Sequence, residues 1–380
     1  MPAIYLDHAA TTPVRPAVRD AMLPYFGEEF GNPSSAHRWG RSARTALETA
    51  RERVAAVIGA DRREIYFTAC GTESDNLAIL GRWRADTTSS GGVVCSAIEH
   101  KAVLAAARRA RAEGASLTLL GVDSEGRVDV AALDEVVPMR PCVVSVMWAN
   151  NEVGTIQPVR ALAERCREVG VILHSDAVQA FGKVRIRVDE TPVDLLSLGA
   201  HKFGGPKGAG VLYVRDGVDL VPLAFGGGQE QGLRPGTENV ALAVGFATAA
   251  EHAAREQAEQ CTRLARLRDR IEAALCGRVP GLVVNGGAAA RLPHILNATV
   301  PNVDQEALMV SLDMAGFAVS VASACQSGAA RPSHVLSAMG QVVEGGATLR
   351  VSVGWTTTED EAERAAIAIP DIIERARAAF

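Results

Sequence analysis

Val171-Ile172-Leu173-His174-Ser175-Asp176 and, further along, Leu195-Leu196-Ser197-Leu198-Gly199-Ala200-His201-Lys202 decide how this chain is read. Each is a short apolar run that ends in charged or hydrogen-bonding residues. That is the pattern of a strand buried on both faces whose carboxyl end opens into a cleft. Similar apolar, β-branched runs stand at 65–68, 92–95, 143–146 and 210–214, with helical patterns between them, for example at 41–58 and 159–169. The alternation predicts an α/β domain built around a mostly parallel sheet.

Working outward, a charged, alanine-rich pattern from about 239 to 275 is too long for an ordinary surface helix and carries the chain out of that domain. Strand patterns at 292–300 and 347–353 and amphipathic helices at 303–314 and 358–378 follow. The expected division is a large domain over 15–255 and a smaller α+β domain formed by 1–14 and 256–380. No repeat or low-complexity tract interrupts it.

Composition narrows the function classes. The 380 residues are 48% hydrophobic, enough for a sizeable core, and the net charge of −5 gives no general attraction to nucleic acid or acidic lipid. The longest apolar stretch, near 240–250, is too short to span a bilayer, and residues 1–7 carry no basic region or cleavable apolar segment. The expectation is a soluble cytoplasmic protein. The seven cysteines are scattered, odd in number and free of any C-x-x-C pair, which argues against a disulfide framework or a zinc site.

The chemistry begins with Lys202, one of only four lysines. A lysine after one strand and an acid, Asp176, at the end of another are what pyridoxal phosphate requires. The amine holds the cofactor aldehyde as a Schiff base, and the carboxylate keeps the ring nitrogen protonated. Gln179 follows Asp176 closely enough to reach the phenolic oxygen of such a ring. Asn150-Asn151-Glu152 ends a neighbouring strand and faces the same cleft. Thr68 to Asn76 leads from a strand into a helix, and Thr72-Glu73-Ser74-Asp75 reads as a capping box, with Gly71 letting an anion approach free backbone N–H groups. An ordinary strand-to-helix turn is the plainer reading of that segment. His100, after another strand end, is placed to stack on a ring and exchange protons, although a histidine there also serves structure alone. Gly204, Gly205, Gly208 and Gly210 lack the G-x-G-x-x-G order of a dinucleotide site and give room beside the lysine instead. Cys325, in the small and polar run Ser320 to Ala330, has the setting of an accessible, reactive thiol.

Ordered matches run through nearly the whole chain. They include Tyr5-Leu6-Asp7-His8-Ala9-Ala10-Thr11-Thr12-Pro13, Phe30-Gly31-Asn32-Pro33-Ser34-Ser35, Gly71-Thr72-Glu73-Ser74-Asp75-Asn76, Ser175-Asp176-Ala177-Val178-Gln179, Ala200-His201-Lys202, Gly236-Thr237-Glu238-Asn239, Ser323-Ala324-Cys325 and Leu349-Arg350. On these residues the chain resembles the cysteine desulfurases of the PLP-dependent class V aminotransferase superfamily, in the nitrogenase and iron–sulfur-cluster branch.

The resemblance implies a PLP-dependent transferase fold of the aspartate-aminotransferase type, whose large domain holds a mostly parallel seven-stranded sheet beside a smaller α+β domain. It implies pyridoxal 5'-phosphate as cofactor, with Lys202 as its covalent anchor, Asp176 on the ring nitrogen, Gln179 on the phenolic oxygen and His100 stacked as an acid–base group. Gly71, Thr72, His201 and, from the second subunit of a homodimer, Thr237 hold the phosphate, and Asn151 also touches the cofactor. Asn32, Asn151 and Arg350 hold the carboxylate of L-cysteine, and Cys325 takes its sulfur as a persulfide for an acceptor protein of unknown identity. No metal, nucleic acid or membrane is implied.

Departures from the family pattern stand at Val321, Ala322 and Gln326 around the thiol, and at Gly199, where many relatives carry a hydroxyl or thiol. The competing readings are another class V enzyme, a selenocysteine or cystine lyase or a transaminase, and a non-catalytic partner in a sulfur-transfer assembly.

Overall fold

The computed structural model describes residues 3–86, 91–321, 333–341 and 345–378. Its main sheet has seven strands in the order Ile65–Thr68, Gly210–Val214, Leu195–Gly199, Leu173–Asp176, Val143–Ser145, Val93–Ser96 and Leu117–Leu120. Only Gly210–Val214 runs against its two neighbours; the remaining pairs are parallel. The six strands expected from the sequence are all present. The seventh, Leu117–Leu120, escaped the reading because it lies at the sheet edge with Leu119 half exposed, so it lacks the unbroken apolar signature of its neighbours.

Helices cover both faces, which is why Val143, Val144, Leu173, Leu195, Leu196, Leu198 and Val211 are fully buried. Each such side chain contributes about 1.5–3 kcal/mol relative to exposure. Helix Arg38–Ile58 lies along the first half of the 39-residue helix Val240–Arg278. It stops at Gly59, whose φ of 73° is left-handed and whose missing Cβ would fall 2.4 Å from Asp189 Oδ1.

The second half of Val240–Arg278 enters a separate core. There Leu267, Ile271 and Leu275 pack with Leu296, Leu349 and Ile369. The core is built on an antiparallel sheet in the order Ser320–Val321, Gly346–Ser352, Ile295–Pro301 and Val283–Val284. Ile4–Tyr5 pairs with Phe317–Ala318, and Ile4 and Leu6 are buried in this same core.

From there residues 7–12 cross to the carboxyl end of the main sheet. The crossing is fastened by Ala9 N–H to Ser352 Oγ at 2.9 Å and by Thr12 N–H to the His201 carbonyl at 2.9 Å. The N-terminal segment therefore forms a wall between the sheet end and the second core. Among the described residues no helix is long and apolar enough to cross a membrane.

Candidate active site

Parallel strands deliver their carboxyl ends to one edge, and a cleft of about 340 Å³ opens there between the sheet and the crossing segment. Lys202 is the last residue of the short helical turn Ala200–Lys202, directly after strand Leu195–Gly199. Its Nζ donates to the carbonyls of Ala9 and Ala10 at 2.6 and 2.8 Å. Burial, followed by the nearby Arg350 guanidinium, lowers its pKa to about 8. A lysine near that value keeps a useful fraction of free amine at neutral pH, which a nucleophile toward an aldehyde needs.

Asp176 ends its strand and is buried; its Oδ1 accepts the N–H of Val178 at 2.9 Å. Burial raises its pKa, against the opposing pull of His100 and Lys202. A cationic ring nitrogen placed against it would relieve that cost. Gln179 is anchored by Nε2 to the Ala9 carbonyl at 2.7 Å, and its Oε1 is buried without a partner.

His100 caps helix Lys101–Ala112, where Nδ1 accepts the Ala102 N–H at 3.2 Å and the ring stands at the cleft. Desolvation by the surrounding walls holds its pKa below the ordinary value, and Asp176 pulls it back up. His201 donates or accepts at Thr11 Oγ1, 3.2 Å away, and burial ahead of the lysines lowers it to about 4. Across the cleft, Arg350 sits on strand Gly346–Ser352. Its Nη1 donates to the Asn151 carbonyl at 3.0 Å and its Nη2 to Asp7 Oδ1 at 2.8 Å.

The turn expected to start a helix does so, by a different device. Helix Gly71–Asn76 begins with Cys70 as an uncapped N-cap, and no capping box forms over 72–75. Glu73 instead reaches back to the Ala69 N–H and also pairs with Arg234 at 3.0 Å. The site requires glycine at 71: a Cβ there would lie 2.6 Å from Val178 Cγ2. Gly199 lies behind it, its would-be Cβ only 3.7 Å from the Gly71 nitrogen.

Gly71, Thr72, His100, Asn151, Asp176, Gln179, His201, Lys202 and Arg350 thus converge on one cleft. Two expected residues stand apart within the single chain. Asn32 is exposed in its loop, where Oδ1 accepts the Ser34 N–H at 2.9 Å. Thr237 lines a different cavity, of about 220 Å³, beside Glu230 and Arg234. Cys325 lies outside the described residues.

Sequence reasoning missed several groups. Asp75 lines the cleft, fully buried; burial and then Asp176 raise its pKa well above the usual carboxyl range. Glu99, fully buried next to His100, accepts from Ser96 Oγ and the Met147 N–H at 2.6 Å each and is pushed by burial to about 8. His174 is held neutral by burial, at about 3, between Ser145 Oγ at 2.8 Å and Ser197 Oγ at 2.9 Å. Asp7, quoted only as part of a motif, turns out to hold Arg350. Polar residues inside otherwise apolar strands were the available signal for His174.

These residues fit pyridoxal phosphate. The amine of Lys202 and the carboxyl of Asp176 share the cleft with the unpartnered Oε1 of Gln179 and the side-chain-free backbone of Gly71. Lys202 would carry the aldehyde, Asp176 would face the ring nitrogen, and Gly71, Thr72 and His201 would receive the phosphate.

The chain is similar to known proteins over nearly its whole length. The aminotransferase class-V family matches residues 4–365. A cysteine desulfurase IscS of Dictyoglomus turgidum is 43% identical over 375 residues, which is 98% of this chain and 95% of that protein. A solved NifS-like protein superposes with a TM-score of 0.91 at 36% identity, covering 98% of this chain and 100% of the other. SspA, solved in complex with cysteine, gives a TM-score of 0.81 at 35% identity over 92% of this chain and 98% of its own.

Proposed function

The chain belongs to the aminotransferase class-V family, and we propose that its cleft converts L-cysteine to L-alanine as a PLP-dependent cysteine desulfurase. One observation carries the reading. The amine of Lys202, the buried carboxyl of Asp176 and the guanidinium of Arg350 line one cleft in a chain that matches a protein named cysteine desulfurase almost end to end.

Pyridoxal phosphate, when bound, supplies an electron-withdrawing ring that accepts the electron pair left by loss of the substrate α-proton. Asp176 would face the ring nitrogen and favour a positive charge on it, which would make that withdrawal effective. Lys202 would hold the cofactor aldehyde, and its amine, when free, would stand at the cleft beside the substrate. With a pKa of about 8 it is suited to take and return a proton. His100 serves as the second acid–base group.

Arg350 and Asn151 hold the substrate carboxylate; a guanidinium can grip it with two parallel N–H bonds. Asn32 assists from its loop. The thiolate of Cys325 then attacks the substrate sulfur. The substrate C–S bond breaks, an S–S bond forms on Cys325, and Cβ takes a proton, so that alanine leaves with one sulfur fewer and no external oxidant is used. Thr237 is supplied by the second subunit of a homodimer, which accounts for its distance from the cleft of its own chain. The enzyme works in the cytoplasm and passes its sulfur to an acceptor protein.

The test is direct. Protein loaded with the cofactor and mixed with L-cysteine should release alanine and carry one extra sulfur atom on the Cys325 peptide, read by mass spectrometry. Cys325→Ser should lose the extra sulfur. Alanine formation at the wild-type rate in that variant would remove Cys325 from the reaction, and absence of alanine from the parent would overturn the reading.

A further inference from the structure

A second cavity, of about 50 Å³, lies behind the cleft and shares one lining residue with it, Lys202. About 10–15 Å³ of such space admits one water, so the cavity holds a few waters or one halide-sized ion. Its polar lining is one-sided. Arg15, Lys183 and Lys202 supply three basic groups, against the single carboxylate of Glu256.

That carboxylate is already engaged, by Arg15 at 2.7 Å and by His252 at 3.2 Å. Lys202 is drawn toward the cleft, where its amine rests on two carbonyls and Asp176 and Asp7 act on it. Lys183 is left with one partner, the backbone carbonyl of Lys202 at 2.6 Å, and no acidic group acts on it except the weak thiol of Cys261. His294 lines the same cavity, buried, with neither ring nitrogen bonded. Arg15 Nε is likewise buried and unbonded.

Buried charge is ordinarily paired, and buried N–H groups ordinarily find an acceptor. Here the Lys183 amine and the unbonded Arg15 Nε face a space whose one carboxylate is already engaged, beside the buried rings of His8 and His294, in which His8 Nδ1 and both His294 nitrogens are unbonded. We propose that this cavity is a binding site for a small inorganic monovalent anion, of halide or hydrosulfide size, held by Lys183 and His294. Because Lys183 is bonded to the backbone of Lys202, occupancy of the cavity bears on the seat of the lysine that anchors the cofactor.

The experiment is bromide soaked into crystals of the cofactor-loaded protein, located by its anomalous scattering, with the melting temperature followed against bromide in solution. A bromide peak within hydrogen-bond reach of Lys183 Nζ is expected, together with a melting temperature that rises with the logarithm of bromide above its dissociation constant. Both should vanish in Lys183→Met and weaken in His294→Leu, and hydrosulfide should displace bromide from the peak. Should Lys183→Met not fold, His294→Leu and the wild-type peak still decide the matter. Ordered water alone in the cavity at high bromide, or a peak that survives Lys183→Met, overturns the site.

Discussion

Arg350 meets the cleft already bound: its Nη2 lies 2.8 Å from Asp7 Oδ1, and its Nη1 donates to the Asn151 carbonyl at 3.0 Å. The two residues are 343 positions apart, and their contact ties the crossing segment to strand Gly346–Ser352. Asp7 fixes the plane of the guanidinium before any substrate arrives, while Nε remains buried and unbonded.

Removing the guanidinium should therefore be felt mostly in substrate binding. Arg350→Ala is expected to raise KM for L-cysteine by about 10- to 100-fold, the equivalent of one hydrogen-bonded charge pair at roughly 1.5–3 kcal/mol. Arg350→Lys should recover only part of it, since an ammonium cannot make the two parallel bonds. Steady-state kinetics on the three proteins checks this. An unchanged KM in Arg350→Ala would place the carboxylate elsewhere.

Cofactor capture should report the state of Lys202. Its pKa, lowered to about 8 by burial and by Arg350, means that the apoprotein presents the ammonium below that pH and the free amine above it. Only the free amine attacks an aldehyde. The rate at which apoprotein takes up pyridoxal phosphate, followed by visible absorbance, should rise about tenfold per pH unit below pH 8 and level off above it. Lys202→Ala should give no covalent adduct after borohydride reduction. A midpoint near the ordinary lysine value would show that the amine is not desolvated as described.

Gly71 and Val178 make a steric pair. A methyl group at 71 would come within 2.6 Å of Val178 Cγ2, and valine is stiff about χ1. Gly71→Ala should weaken cofactor binding, with overpacking of about 1–3 kcal/mol to relieve. Gly71→Ala combined with Val178→Ala should restore most of the affinity, measured by equilibrium titration of the apoprotein. If the double variant binds as poorly as the single one, the glycine is needed for something other than room.

What was legible in the chain was what local pattern encodes. Lys202 and Asp176 stood at the ends of apolar runs, and strand ends in a parallel sheet share one edge, so their meeting in the cleft followed from the periodicity. The Leu117–Leu120 strand did not follow, because an edge strand with an exposed leucine loses the signature of burial on both faces. The box at 72–75 had the right letters, yet the helix starts with Cys70 as N-cap, so Thr72 lies inside it and Glu73 takes the N3 place, bonding the Ala69 N–H and Arg234. Neither Asp7 on Arg350 nor Lys183 under Lys202 leaves a local trace. Each contact exists only after distant segments have docked, and each charge looks like an ordinary surface charge until then.

Glu99 gives the clearest dependence of stability on pH. Its carboxyl is fully buried beside His100 and is pushed by desolvation from 4.5 to about 8. The folded protein thus keeps a proton on this group up to about pH 8, while the unfolded chain gives it up near pH 4.5. Unfolding releases that proton between those limits, so this group's contribution to stability falls as pH rises through the window. The slope approaches about 1.4 kcal/mol per pH unit in its middle. Glu99→Gln keeps an acceptor oxygen for the Met147 N–H and the Ser96 hydroxyl and has no proton to lose. The variant should therefore gain on the parent steadily from pH 5 to pH 8 when melting temperatures are compared at matched ionic strength. Other buried carboxyls, Asp75 and Asp176 among them, titrate in both proteins and largely cancel in the difference. A gap that stays constant across that range would mean that Glu99 is ionised in the folded state and that an unseen cation pairs with its free oxygen.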